Sequence, residues 1–190
     1  MTEPSRLAVI LRMFDGYQGT LTVSSALRLA PLLFVRPGEL RKAEWKDVNL
    51  EAAEWRIVTS KTNTQLIVPL SSQAITILAE LKPLTGNGRF VFPSARSSQR
   101  PMSDNALLAA LRSMGIAKEE LTIHGLRATA RTILDEVLGV RPDFIEHQLG
   151  HKVSGPLGAA YNRTSFMSER AQMMQGWADY LDELKGGLRN

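Results

Sequence analysis

The chain contains no cysteine, which excludes disulfide scaffolds, thiol catalysis and zinc ribbons. It also lacks any apolar run approaching the roughly 20 residues that span a bilayer. The amino end, MTEPSRLAVILRMF, carries acid and proline where a signal peptide needs a basic lead. A cytoplasmic protein with no membrane partner is expected. No G-x-S-x-G elbow, Walker loop or dinucleotide fingerprint occurs, so serine hydrolase, nucleotide hydrolase and oxidoreductase readings have no support. What is present is ordinary for a globular fold, with 44% hydrophobic and 22% charged residues over 190 positions. A chain of that length forms a core without a metal or disulfide staple, and one domain over 1–190 is the expectation. Twenty-three basic against 19 acidic residues leave a charge of +4 and a pI near 9.6. That balance leans towards an anionic partner without requiring one.

No internal repeat or low-complexity stretch is evident. Apolar residues recur at helical spacing from Ser5 to Tyr17 and from Thr20 to Phe34, with Gly16 and Gly19 between them. Val35-Arg36-Pro37-Gly38-Glu39-Leu40 interrupts that pattern, because a residue before proline is pushed out of the helical region. A short helix then runs towards Trp45. EWRIVT (54–59) and QLIVPL (65–70) read as two strands of a hairpin whose polar turn is Ser60 to Thr64. Ser71 is the expected N-cap of a helix reaching Leu84, and Phe90-Val91-Phe92 the expected short strand. Ser94 to Pro101, serine-rich and basic, is the most loop-like region. Further helices are expected at 103–114, 122–138, 142–149, about 156–162 and 165–184. The layout is α+β, mostly helical with a small antiparallel sheet.

The chemistry starts at His124-Gly125-Leu126-Arg127. At about 100° per residue, His124, Arg127 and Arg131 return to one stripe of a helix. On that reading Leu126, Ala130, Ile133 and Val137 face the core, and a solvated polar face is the plain alternative for the basic stripe. His151 closes Glu146-His147-Gln148-Leu149-Gly150-His151, and Tyr161 follows in Ala159-Ala160-Tyr161-Asn162-Arg163. Arg36 lies in the irregular turn and Lys61 tips the hairpin. A guanidinium is a planar donor fork for two phosphate oxygens, and two forks neutralise a phosphodiester becoming pentacoordinate. A tyrosine hydroxyl can attack phosphorus, and lysine or histidine can protonate the leaving oxygen. These six residues supply every role for phosphoryl transfer without a metal or other cofactor.

In that order and in these flanks the chain resembles the tyrosine recombinases, and among them the integrases of prophages and genomic islands. The likeness is carried by RPGELRKAEW, VPLS, HGLRATARTILDEVLGVRPDFIEHQLGH, AYNR and WADYLDEL. It implies the recombinase catalytic-domain fold and the catalytic set Arg36, Lys61, His124, Arg127, His151 and Tyr161. Arg36 and Arg127 would clamp the scissile phosphate, with a hydrogen bond from His151. His124 would assist proton removal from Tyr161, the nucleophile, and Lys61 would protonate the departing 5′-oxygen. Glu39 would orient a basic residue, while Arg131 and Arg163 would contact DNA. The partners implied are double-stranded DNA at attachment sites, a homotetramer on that DNA, and accessory DNA-bending or excisionase proteins. Two departures stand out. Thr62-Asn63-Thr64-Gln65-Leu66 follows Lys61, where relatives often carry further basic residues and a histidine. The arm-binding and core-binding domains of full integrases are expected to be absent from 1–190.

Other readings remain open at this stage. A DNA-binding module without catalysis would keep the basic groove, and a type IB topoisomerase would share the chemistry. A helical interaction protein would make Tyr161 an ordinary packing residue. His147 and His151 have the H-x-x-x-H zinc spacing, but the glutamate of a metalloprotease is missing and Gly150 weakens the helix between them. Finally, Phe166, Arg170, Met173, Met174, Trp177 and Leu181 recur on one face of the last helix, apolar except for Arg170. That stripe must be buried in this domain's own core or on a neighbouring protomer.

Overall fold

The computed structural model describes residues 3–59, 64–151 and 166–187. Its helices are α1 (Pro4–Asp15), α2 (Leu21–Leu33), α3 (Pro37–Arg41), α4 (Ser72–Thr85), α5 (Ala106–Ser113), α6 (Gly125–Glu136), α7 (Pro142–Gln148) and α8 (Met167–Gly186). Strands β1 (Val48–Asn49), β2 (Glu54–Val58) and β3 (Gln65–Pro69) form an antiparallel sheet in that order, with Trp55 opposite Val68 and Ile57 opposite Leu66. A separate hairpin pairs β4 (Pro93–Ser94) with β5 (Ser97–Pro101). The expected α+β layout is the observed one.

Local chemistry sets the boundaries. Thr20 caps α2 by accepting from the Val23 amide, and Ser71 caps α4 by accepting from the Ala74 amide at 3.3 Å. Phe34 ends α2 in the left-handed region (φ 55°), an uncommon conformation for a bulky residue. Pro37 then opens α3 from its first turn, where a missing amide costs nothing.

The core joins α1, α2, α4, α5, α6 and α8 through residues such as Ile10, Leu27, Leu81, Leu111, Ile133 and Trp177. The last helix lies within this core: Met173, Met174, Trp177, Ala178 and Leu181 are buried, and α8 packs on α1, α2 and β3 of the same chain. Of the two sites open to the apolar stripe, the chain's own core is the one occupied. The Trp177 indole donates to the Pro31 carbonyl at 2.8 Å, satisfying a last-turn oxygen of α2. Gln175 accepts from the Ser72 amide at 2.9 Å, fastening α8 to the start of α4.

Several expectations are corrected. Ser94 to Pro101 is not a loop but most of the β4–β5 hairpin. Phe90-Val91-Phe92 forms no strand, only a bridge between Phe90 and Glu44. Val137 is 55% exposed, although it continues the helical geometry one residue past the end of α6. Arg170 does not interrupt the buried face of α8 but is its most enclosed polar member. The helical piece expected around 156–162 lies outside the described residues.

Candidate active site

The site is organised around Arg127, which α6 carries inward. The side chain is 6% exposed, so the solvated alternative does not hold for it, unlike His124 and Arg131, both of which are exposed. Its guanidinium donates to the Phe34 carbonyl and, at 2.7 Å, to the Leu149 carbonyl. Those residues are the C-caps of α2 and α7. Carboxyl-terminal carbonyls of helices lack intrahelical partners and carry partial negative charge, so two helix ends meet on one cation. Burial nevertheless pushes the Arg127 guanidinium down to about 10, and repulsion from Arg36 acts in the same direction, while Glu39 and Glu146 oppose it. It remains a cation at neutral pH.

Arg36 approaches from the turn between α2 and α3. Glu39, buried in the first turn of α3, accepts from the Arg36 amide at 2.8 Å and from its guanidinium at 3.0 Å. One carboxylate thereby fixes both the backbone and the side chain of Arg36. Two guanidinium groups converge here at a cost in repulsion and desolvation, an arrangement suited to an anion.

His151 enters from the far side of α7. Gly150 takes a positive φ of 64°, and a Cβ there would stand 3.3 Å from Thr59 Cγ2 and 3.5 Å from Leu66 Cδ2. The turn end of the hairpin thus packs against the segment that carries His151, and glycine permits both the backbone angle and the close approach. His151 Nδ1 is 2.5 Å from Glu146 Oε2, while Glu146 Oε1 accepts from Arg131 Nε at 2.7 Å. His124 is the N-cap of α6 and lines a groove of about 760 Å³ with Gly38, Arg41, Leu107, Arg112 and Lys118. Arg41 also lines an adjoining groove of about 1060 Å³ with Arg96 and Arg100. Lys61, Tyr161 and Arg163 lie outside the described residues.

The zinc spacing does not become a zinc site. His147 is buried with its ring edge-on to Phe166 at 5.3 Å, and desolvation, with help from Arg170, holds it below the usual imidazole range. His151 follows a left-handed glycine beyond the end of α7, so the two rings do not share a helical face. Among the described residues no group of three or more potential metal ligands occurs. No helix among them is long and apolar enough to cross a membrane.

Sequence reasoning missed Glu146, Arg41, Arg112 and Lys118, since single charges on helices and turns carry no spacing signal. Arg96 and Arg100 did have one, in the basic character of their serine-rich stretch.

The sequence profile described as "Phage integrase family" matches residues 9–167. The integrase of Enterobacteria phage P4 is 37% identical over 194 residues, covering 94% of this chain and 44% of that protein. The chain spans about half or less of the length of the curated relatives it matches. The integrase from mycobacterium phage Brujita shares the fold with a TM-score of 0.71 at 14% identity, over 93% of this chain and 61% of that one. A lambda integrase tetramer bound to a Holliday junction superposes with a TM-score of 0.58 at 22% identity, over 78% and 46% of the two chains.

Proposed function

The chain belongs to the phage integrase family, and from that premise we propose that residues 1–190 form the catalytic domain of a site-specific DNA recombinase. It cleaves and rejoins DNA strands through a 3′-phosphotyrosyl intermediate. The observation that carries this reading is that Arg36 and Arg127 stand near enough to repel each other, one oriented by Glu39 and the other held between two helix ends. Such donors, fixed before substrate arrives, stabilise charge that develops on a pentacoordinate phosphate without reorganising.

In this mechanism the Tyr161 oxygen attacks phosphorus and its proton passes to His124. The bond to the 5′-oxygen breaks, and Lys61 supplies the proton to that leaving oxygen. The products are a 3′-phosphotyrosyl ester and a free 5′-hydroxyl. The new ester conserves the energy of the broken bond, so a 5′-hydroxyl from another duplex reverses the step and exchanges strands. His151 donates to a non-bridging oxygen. Arg131, Arg163 and the basic grooves around Arg41 follow the DNA backbone. The working assembly is a tetramer on two duplexes at attachment sites, as supported by the lambda integrase tetramer, with accessory DNA-bending or excisionase proteins as further partners. Prophage or genomic-island integration and excision is the resulting biology. The integrase relatives favour this reading over a topoisomerase or a module without catalysis.

A pool of duplexes nicked near a randomised sequence tests the proposal and selects the target in one step. Cleavage releases the short strand, traps the covalent adduct and leaves a protease-resistant phosphotyrosine. Tyr161→Phe should abolish the adduct while leaving DNA affinity nearly unchanged, because the ring survives and the nucleophile does not. An adduct of normal yield from the Phe variant would end the reading.

A further inference from the structure

Resting on that reading of His151, we infer that Glu146 is a positioning residue that fixes which nitrogen of His151 meets the substrate, with Arg131 as its anchor. The carboxylate sits between its two partners, His151 Nδ1 at 2.5 Å and Arg131 Nε at 2.7 Å. It lies on α7, whereas Arg131 lies on α6, so the bridge also sets one helix against the other. The cations facing Glu146 are Arg127 and Arg131 from α6 and the ring of His151 itself.

The chemistry follows from what a carboxylate can do. Burial alone would raise the Glu146 carboxyl, but hydrogen bonds from His151 and Arg131 outweigh that and hold it below its usual range. An ionised carboxylate only accepts, so Nδ1 carries a proton and Nε2 is the nitrogen left for substrate. A phosphate oxygen also only accepts. Contact with it therefore needs a proton on Nε2 as well, and Glu146 is then the countercharge of a doubly protonated ring. A second partner on the other ring nitrogen is the usual way a histidine is held to one tautomer and orientation. The same geometry gives Arg131 a use beyond DNA contact, since its guanidinium keeps the carboxylate from turning away.

Two measurements on the full chain test this. The first is the ring nitrogen shifts of His151, read by NMR without DNA and well above the ordinary imidazole titration range. The neutral wild-type ring should hold its proton on Nδ1. Glu146→Ala should move it to Nε2, the form favoured in water, whereas Glu146→Gln, whose amide oxygen still accepts, should keep it on Nδ1. The second is the rate of adduct formation at saturating DNA, using the duplex selected from the randomised pool. Glu146→Ala should slow it roughly 10–100-fold, the scale on which such outer partners act. The double variant with His151→Ala should be no slower than His151→Ala alone, since Glu146 acts only through that ring. Glu146→Gln should fall between wild type and Glu146→Ala. A tautomer unchanged in Glu146→Ala, a wild-type rate for that variant, or rate losses that multiply in the double variant would each overturn the proposal. A wild-type rate for His151→Ala would instead strike the reading of the site itself.

Discussion

Among the described residues two arginines are buried, and they sit in different surroundings. Arg127 and Arg170 are 6% and 0% exposed, and desolvation pushes both guanidinium groups down to about 10. Both donate to backbone carbonyls, Arg127 to Phe34 and Leu149, and Arg170 to Ile67 at 2.5 Å. Their remaining neighbours differ. Arg170 places two nitrogens on Gln148 Oε1, at 3.0 and 2.7 Å, and a third near the Met167 sulfur at 3.5 Å. Desolvation lowers its pKa. Arg127 also feels Arg36, Glu39 and Glu146, the charged rim of a site. Arg170 ties β3, α7 and α8 together, whereas Arg127 joins the ends of α2 and α7 beside other charges, as the proposed anion site requires. Burial alone therefore does not tell the two arginines apart; the second cation beside Arg127 does.

Substitution at Arg127 should separate the two cases most strongly. Arg127→Ala is expected to slow adduct formation by roughly 10²–10³ or more at saturating DNA, the scale for one lost donor to developing charge. Arg127→Lys should recover little, since an ammonium lacks the planar fork that reaches both helix ends. A wild-type rate restored by saturating DNA would make Arg127 an ordinary binding residue. Arg170→Met should show the opposite profile. Denaturant unfolding should report a loss of about 1–3 kcal/mol from acceptors left unpaired in the core, while the folded variant keeps its cleavage rate. A large rate loss without a stability loss would put Arg170 in the site.

The smallest effect is expected where charges meet in water. Glu44 pairs with Arg89 at 2.6 Å and Lys46 at 2.9 Å, and these partners, Arg89 foremost, bring its carboxyl down to about 2. Glu44→Gln should cost under about 1 kcal/mol at neutral pH, as for other exposed pairs. A carboxyl depressed in the folded state stabilises above its unfolded value, and that stability is lost as pH falls through its folded value. The difference between variant and wild type should therefore shrink from about pH 4.5 towards 2. A gap that widens on acidification would contradict the pairing.

The same contrast explains what was legible in the sequence. Helix periods and the Ser71 cap set the expected helices close to their observed bounds, because apolar spacing reports which face is buried. Arg36 could be found from the turn that Pro37 forces, and Glu39 from the family resemblance. Periodicity fails at Arg127 and Arg170, since a pattern counts arginine as polar and cannot see carbonyls waiting inside the core. It fails again at β4–β5, whose exposed Ser and Arg residues carry no alternation for a sheet to imprint. Glu146 reaches His151 only after the chain reverses at Gly150, a geometry that spacing along a helix does not encode.

Phe34 gives the arrangement a mechanical sense. Its ring lies edge-on to Trp177 at 5.7 Å, and its carbonyl receives Arg127. Held from both sides in a left-handed conformation, it acts as a pawl between the last helix and the Arg127 guanidinium. If α8 shifts, the ring loses its stop, and the backbone that seats Arg127 is freed to relax from its unfavourable angle. The last described helix, far along the chain from α6, is in this way part of the gauge that sets the arginine's position.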